Sequence, residues 1–204
     1  MTKTINNILA LTLALCMTLG LASIASAAEI ATSGGSGSTP VNLTTTTDGS
    51  LDGPVAPTAM SVTVPTALPM AMAQDGSVTT ASNCKITNNS YGAVRVASVT
   101  ITAGTNWRLT AFGDKSTLAG QKVDSNQLGF AMRIGGGAMV STSSGSTRTQ
   151  TLISMPIVGC YMTGIGDPTG NSVAIEYAAI VTPLSSAMTN ATIASVVFVI
   201  EWDT

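Results

Sequence analysis

The stretch that decides the fold is Val94-Arg95-Val96-Ala97-Ser98-Val99-Thr100-Ile101. Apolar side chains occupy every second position at each end of it, which is the period of a β-strand with one face in a core. The apolar positions change phase by one residue between Val96 and Val99. Because such a slip exchanges the two faces of a strand, we expect a β-bulge or a bend near Ala97-Ser98.

Further short strands are predicted on both sides of this segment. Clusters of turn-forming residues separate them, and Asp75-Gly76, Gly135-Gly136-Gly137 and Gly166-Asp167-Pro168 are the clearest. Helical turns are expected only within 116–127 and 184–191. The other predicted strands lie at 61–64, 68–73, 84–87, 107–112, 128–134, 148–155, 157–161, 173–181 and 193–202.

The spacing of strands and turns predicts the fold class. Frequent short strands joined by glycine-rich turns favour a sandwich or a barrel over a layered α/β fold. We therefore expect residues 59–204 to be all-β, forming a single antiparallel β-sandwich of immunoglobulin-like or jelly-roll-like type. Within it, Ala194 to Ile200 is almost continuously apolar. That composition predicts a last strand covered on both faces.

The first 27 residues have the pattern of a secretory signal peptide. Lys3 supplies the positive charge, residues 8–21 are largely apolar, and Ala25-Ser26-Ala27 matches the small-x-small cleavage pattern. The alternative is a membrane-anchoring helix, for which the apolar run is short. We expect export of the chain, an extracellular or cell-surface location, and no integral membrane anchor in the mature protein.

Residues 28–58 have the composition of a flexible tail. Ser33-Gly34-Gly35-Ser36-Gly37-Ser38 and a threonine run at 44–47 offer little to pack. Within the tail, Val41-Asn42-Leu43-Thr44-Thr45-Thr46 alternates like a short strand and has no obvious local partner. Residues 41–46 are therefore a candidate donor strand, one that could complete the sheet of another molecule.

Charge and composition exclude several functions. Only 9% of the residues are charged, the formal net charge is −2, and no histidine is present. Binding to nucleic acid or to anionic lipid requires clustered Lys and Arg, which the chain lacks. Without histidine the usual catalytic base is missing, so we expect no enzyme activity and no cofactor. The two strand-embedded acids, Glu176 and Glu201, are interpreted as solvated or ion-paired surface groups.

Two cysteines remain after removal of the signal peptide, Cys84 and Cys160. An even number of cysteines in an exported protein favours a disulfide between them. Two buried free thiols and a bond between chains are the alternatives. Two cysteines without a histidine cannot form a four-coordinate zinc site unaided, so no metal site is predicted.

Trp107 and Tyr161 are the candidate residues for stacking on a sugar ligand. Exposed aromatic rings side by side on a sheet would cover the apolar faces of sugar rings. The competing interpretation places Trp107 and Trp202 in the core, since both lie on segments with an apolar phase.

One group of motifs resembles a known class of proteins. Lys85-Ile86-Thr87-Asn88-Asn89-Ser90, followed by Ala93-Val94-Arg95-Val96 and Val99-Thr100-Ile101, is similar to the hairpin and Val-x-Val strand of Gram-positive secreted β-sandwich proteins. These include the camelysin and TasA-type biofilm fibre proteins and, more loosely, WxL-type surface domains. The tandem Trp-x-Leu motifs of WxL domains are absent, with Trp107-Arg108-Leu109 the single instance. The resemblance implies subunits joined by strand exchange.

Together these observations predict a secreted bacterial structural or adhesive protein of the cell surface or biofilm matrix. Its expected partner is another copy of itself, through β-strand exchange, or a cell-surface polymer. The alternative function is a non-catalytic module that binds glycan or cell-wall polymer.

Overall fold

The computed structural model describes residues 59–145 and 147–204. The predicted signal peptide (1–27) and the tail with its donor strand (41–46) lie outside the described residues. The elements of the described part are β1 (Val62–Thr63), β2 (Met70–Met72), β3 (Val78–Thr80), β4 (Lys85–Asn88), β5 (Val94–Ala103), β6 (Arg108–Thr110), α1 (Ser116–Ala119), β7 (Gln127–Ile134), β8 (Val140–Ser141), β9 (Thr149–Ile153), β10 (Tyr161–Met162), β11 (Ser172–Val181) and β12 (Ala194–Trp202). The all-β prediction is confirmed.

The larger sheet has the strand order β1-β4-β11-β7-β6, and β8 also pairs with β7. Strands β11 and β7 form its centre, with seven antiparallel partners from Ile175–Ile134 to Val181–Leu128. Pairing in this sheet is antiparallel except between β6 and β7, which run parallel. The sequence pattern gave no indication of that parallel pair, because alternation along a strand does not reveal the direction of its neighbour.

The second sheet is built on β5. Strand β12 pairs with one side of β5, while β10 and β9 pair with the two halves of its other side. Val199 is opposite Ser98 and Ile200 is opposite Val96, which leaves Ala97 without a partner on β12. The predicted bulge near Ala97-Ser98 is therefore confirmed, and it keeps the apolar residues on both sides of the slip in the core.

Strands β2 and β3 form a separate two-stranded hairpin. Its turn contains Gly76 at φ 79°, as the Asp75-Gly76 signal predicts. Tyr177 of β11 links this hairpin to the larger sheet by hydrogen bonds. Its hydroxyl donates to the carbonyl of Pro69 and accepts from the amide of Ala81. Burial raises the pKa of the Tyr177 hydroxyl above its ordinary value.

Both sheets contribute side chains to one hydrophobic core. The fully buried residues include Ile86 of β4, Val96 and Ile101 of β5, Met132 of β7 and Ile175 of β11. This shared core is a consequence of the two-residue period, since each strand turns its apolar face inward.

Three predictions about individual elements need correction. The last strand is not covered on both faces, because Val197 is 54% and Val199 is 44% exposed. Residues 184–191 contain no helix, whereas 116–127 does contain α1. The segment predicted as a strand at 157–161 is mostly a turn around Gly159 (φ 93°), and β10 begins only at Tyr161.

No helix within residues 59–145 and 147–204 combines the length and the apolar character that crossing a membrane would require.

Candidate functional site

The feature most suited to an intermolecular contact is the free edge of β12. This strand is nine residues long and pairs only with β5 in the described part of the chain. The strands at the borders of the larger sheet, β1, β6 and β8, have two or three residues. A long unpaired edge is the position at which another β-strand adds to a sheet.

The hydrogen bonds at the two ends of β12 show which residues face the open edge. The amide of Gly104 donates to the carbonyl of Ile193 at 2.8 Å, and the amide of Asp203 donates to that of Ala93 at 3.0 Å. Because the bonded pairs of an antiparallel ladder alternate, the odd-numbered residues of β12 face β5. The backbone groups directed to the open edge are those of residues 194, 196, 198, 200 and 202.

The two faces of β12 differ in burial. Val196, Phe198, Ile200 and Trp202 are half-buried and pack against the core. Val197 and Val199 point to the opposite face and are exposed. The open edge is therefore flanked by apolar side chains on both faces.

The devices that usually block an edge strand are missing from β12. It contains no proline and no lysine, and the bulge at Ala97 lies on β5 rather than on β12. Its one charged residue, Glu201, pairs with Arg95 near the end of the strand at 3.4 Å. Strand β12 is thus a long, regular and largely apolar edge strand.

The predicted disulfide is not present: Cys84 and Cys160 are both free, buried thiols. The carbonyl of Cys84 accepts from Ile175 in the larger sheet, while that of Cys160 accepts from Val96 in the second sheet. An even number of cysteines does not ensure that the backbone brings two Cβ atoms within bonding distance. Each thiol instead packs as a small apolar group in the core.

The two candidate stacking residues do not share an exposed face. Trp107 is 6% exposed and belongs to the core, so the interpretation of Trp107 as a core residue is confirmed. Tyr161 is half-exposed on β10, which belongs to the second sheet. Trp107 directly precedes β6, which belongs to the larger sheet. These two residues therefore do not form a joint aromatic surface on which one sugar chain could stack.

The strand-embedded acids both take part in cross-strand ion pairs. Glu176 is opposite Arg133 and their side chains are in contact. Glu201 is opposite Arg95. Both pairs are at least partly exposed, as the interpretation of these acids as surface groups predicts. The described residues contain no group of three or more His, Cys, Asp or Glu that could hold a metal ion.

The Gly166–Asn171 segment is a turn. The carboxylate of Asp167 accepts from the amides of Thr169 and Gly170 and from the Thr169 hydroxyl at 2.7 Å. These bonds hold the pKa of Asp167 below its ordinary value, the Thr169 hydroxyl having the largest effect.

In comparisons with known proteins, no family model, no curated protein and no solved structure matches this chain.

Proposed function

We propose that this chain is a secreted structural or adhesive protein of a bacterial surface or biofilm matrix that assembles by β-strand exchange. In this proposal residues 59–204 form a single β-sandwich, and residues 1–27 are a signal peptide that directs export. The observation that carries the proposal is the open edge of β12, with its free backbone groups and exposed valines.

The partner strand is assigned to residues 41–46 of another copy. Val41 and Leu43 occupy alternate positions and would lie on the same face of a strand. Paired with β12, that face can pack beside the exposed side chains of Val197 and Val199. The intervening residues 47–58 can reach at most ~40 Å when extended, so a donor strand can extend beyond its own molecule. Backbone hydrogen bonds would supply affinity, and the alternate side chains would set the register.

The test compares assembly of the exported full chain with two variants. We expect polymers for the unchanged protein, measured by light scattering and electron microscopy. Deletion of residues 41–46 removes the donor, and Val197→Lys places a charge beside the edge. Both variants are expected to remain monomeric.

Val158→Lys is the matched control, because Val158 is 76% exposed and lies in the loop between β9 and β10. It makes the same chemical change away from β12 and should assemble normally. Circular dichroism checks that each variant is folded. Polymers of unchanged length in both the deletion and Val197→Lys would contradict strand exchange, as would an unchanged protein that stays monomeric.

The second candidate function is a module that binds glycan or cell-wall polymer. It is favoured by a specific observation, a polar cleft bounded by the starts of β6 and β7 and by Arg148.

A further inference from the structure

A cleft of about 720 Å³ opens where three segments of the chain meet. The segments are the start of β6, the start of β7 and the residues just before β9. Six polar residues line it: Asn106, Arg108, Ser125, Asn126, Gln127 and Arg148. Sequence analysis did not identify this set, because its members are spread over more than 40 residues and form no motif.

Backbone hydrogen bonds hold the walls of the cleft together. The amide of Arg108 donates to the carbonyl of Asn126 at 2.9 Å, which joins β6 to β7. The amide of Ala103 donates to the carbonyl of Arg148 at 2.7 Å, which joins β5 to the third segment. The cleft is therefore bounded by backbone whose positions are set before any ligand arrives.

Left-handed backbone conformations are concentrated at this cleft. Asn106 (φ 66°), Asp124 (φ 59°) and Asn126 (φ 52°) all line it. Asn190 is the one further non-glycine residue with positive φ in the described part of the chain. Asn and Asp tolerate this conformation better than other residues. Three such residues at one place set the shape of the cleft wall, and unusual backbone geometry of this kind is found at ligand sites as well as in turns.

The two arginines of the cleft are not engaged with an acid of the part of the chain that the structure describes. Within the described residues, Arg108 and Arg148 form no ion pair, in contrast to Arg95 and Arg133. The carboxylate of Asp124, the acid that lines the cleft, accepts from the amide of Ser185 at 2.9 Å and from its hydroxyl. That carboxylate is thus directed to Ser185 rather than to either guanidinium.

The uncharged groups show the same pattern. No hydrogen bond to another described residue is made by the side-chain amides of Asn106, Asn126 or Gln127. The hydroxyl oxygen of Ser125 is buried and also has no partner in the described part. A buried hydroxyl without a partner costs stability, but this oxygen has less than 1 Å² of exposed surface, so a ligand in the cleft cannot bond to it as it stands.

We propose that this cleft binds an acidic glycan, a sugar chain that carries carboxylate or phosphate groups. The guanidinium groups of Arg108 and Arg148 suit planar, bidentate pairing with such anions. The side-chain amides of Asn106, Asn126 and Gln127 match the donors and acceptors of sugar hydroxyls. Trp107 lines the cleft but is 6% exposed, so ring stacking contributes little to binding. The inference does not depend on assembly through β12.

The test measures binding to the exported full chain by titration calorimetry at low salt. The probes are tetragalacturonate, a glycerol phosphate tetramer, neutral maltotetraose and short poly-glutamate. We expect binding of one or both acidic carbohydrate-type probes and much weaker binding of maltotetraose. The carboxylated and phosphorylated probes distinguish the two sources of the anionic group.

The variant Arg108→Gln/Arg148→Gln should weaken that binding by about tenfold or more. The reason is that each hydrogen bond between a guanidinium and an anion contributes more binding free energy than one between neutral groups. Lys85→Gln is the matched control: Lys85 is exposed on β4, lies outside the cleft, and should be replaceable without effect. Thermal melting checks that the double variant is folded. No binding of any acidic probe would overturn the proposal. So would poly-glutamate binding as tightly as the glycans, or equal loss in Lys85→Gln.

Discussion

Asn88 is one of four buried polar residues in the described part of the chain. Its side chain is fully buried and makes three hydrogen bonds. The amide nitrogen donates to the carbonyls of Gly92 (2.9 Å) and Thr163 (2.8 Å), and the amide oxygen accepts from the Ser90 amide at 2.9 Å. Both donors and the acceptor oxygen of the side chain are bonded to backbone groups, which is how a buried polar side chain stabilises a particular arrangement of loops.

Asn88→Asp should therefore be strongly destabilising. The change replaces the donating nitrogen by a carboxylate oxygen that faces two carbonyl oxygens. We expect a loss of about 2–4 kcal/mol in the free energy of unfolding at pH 7. Part of it should return at pH 4, since the buried carboxyl would have a raised pKa and its protonated form can donate.

Urea unfolding at the two pH values measures this effect. Asn89→Asp is the control, because Asn89 is exposed and its side chain hydrogen-bonds, among the described residues, only to the Thr63 hydroxyl. Similar losses in the two variants would contradict the role of Asn88.

The buried hydroxyl of Tyr177 and the buried thiol of Cys160 predict alkaline instability. Burial raises both pKa values above the ordinary 10.0 and 9.0. A raised pKa in the folded state means that folding favours the neutral form. The contribution to stability is therefore complete below pH 9 and is lost as pH rises through the folded-state pKa values.

Urea midpoints between pH 8 and pH 11 check this prediction. Tyr177→Phe and Cys160→Ala should each flatten part of the decline, and the double variant should flatten most of it. A decline of the same steepness in the double variant would show that other groups are responsible.

At the scale of elements, one close backbone contact between a loop and a turn depends on a single glycine. The loop after β10 lies against the turn between β4 and β5, where the amide of Ile165 donates to the carbonyl of Ser90 at 2.8 Å. Gly164 is required there, since a Cβ atom on it would be 1.9 Å from the carbonyl oxygen of Tyr91. Backbone cannot move away as a flexible side chain can, so this position excludes every larger residue.

Gly164→Ala is predicted to cost about 2–3 kcal/mol, in the range of overpacked core substitutions. Gly166→Ala is the matched control two residues away, because a Cβ atom there meets nothing within 4 Å. Thermal or urea unfolding of the two variants should differ clearly. Equal stability would show that the loop after β10 shifts away from the turn without cost.

At the scale of the whole molecule, the few charges are partly neutralised locally. Four of the seven acids in the described residues form ion pairs: Asp75 with Lys115, Glu176 with Arg133, and both Glu201 and Asp203 with Arg95. The surface that remains has two unusual regions, the apolar open edge of β12 and the cleft with Arg108 and Arg148. The proposed backbone pairing at one and the proposed anion binding at the other are compatible with a protein that assembles and also binds a polymer.

Much of the local structure could be predicted from the sequence. The phase slip between Val96 and Val99 located the bulge at Ala97, because the periodicity of a strand is read directly from its side chains. The strands at 128–134 and 173–181 were predicted to within one residue. Short strands β3 and β8 were missed, since two or three residues carry too little pattern.

The sequence by itself determined that the chain forms strands with one buried face, where those strands turn, and that no histidine is available for chemistry. Only the tertiary structure decided that β6 runs parallel to β7, that Cys84 and Cys160 are free buried thiols, and that β12 lies at an edge with Val197 and Val199 exposed. The cleft likewise exists only after three distant segments meet. The physical reason is that alternation and turn chemistry act between neighbours in sequence, whereas the choice of partner strand depends on how all the apolar faces are buried together.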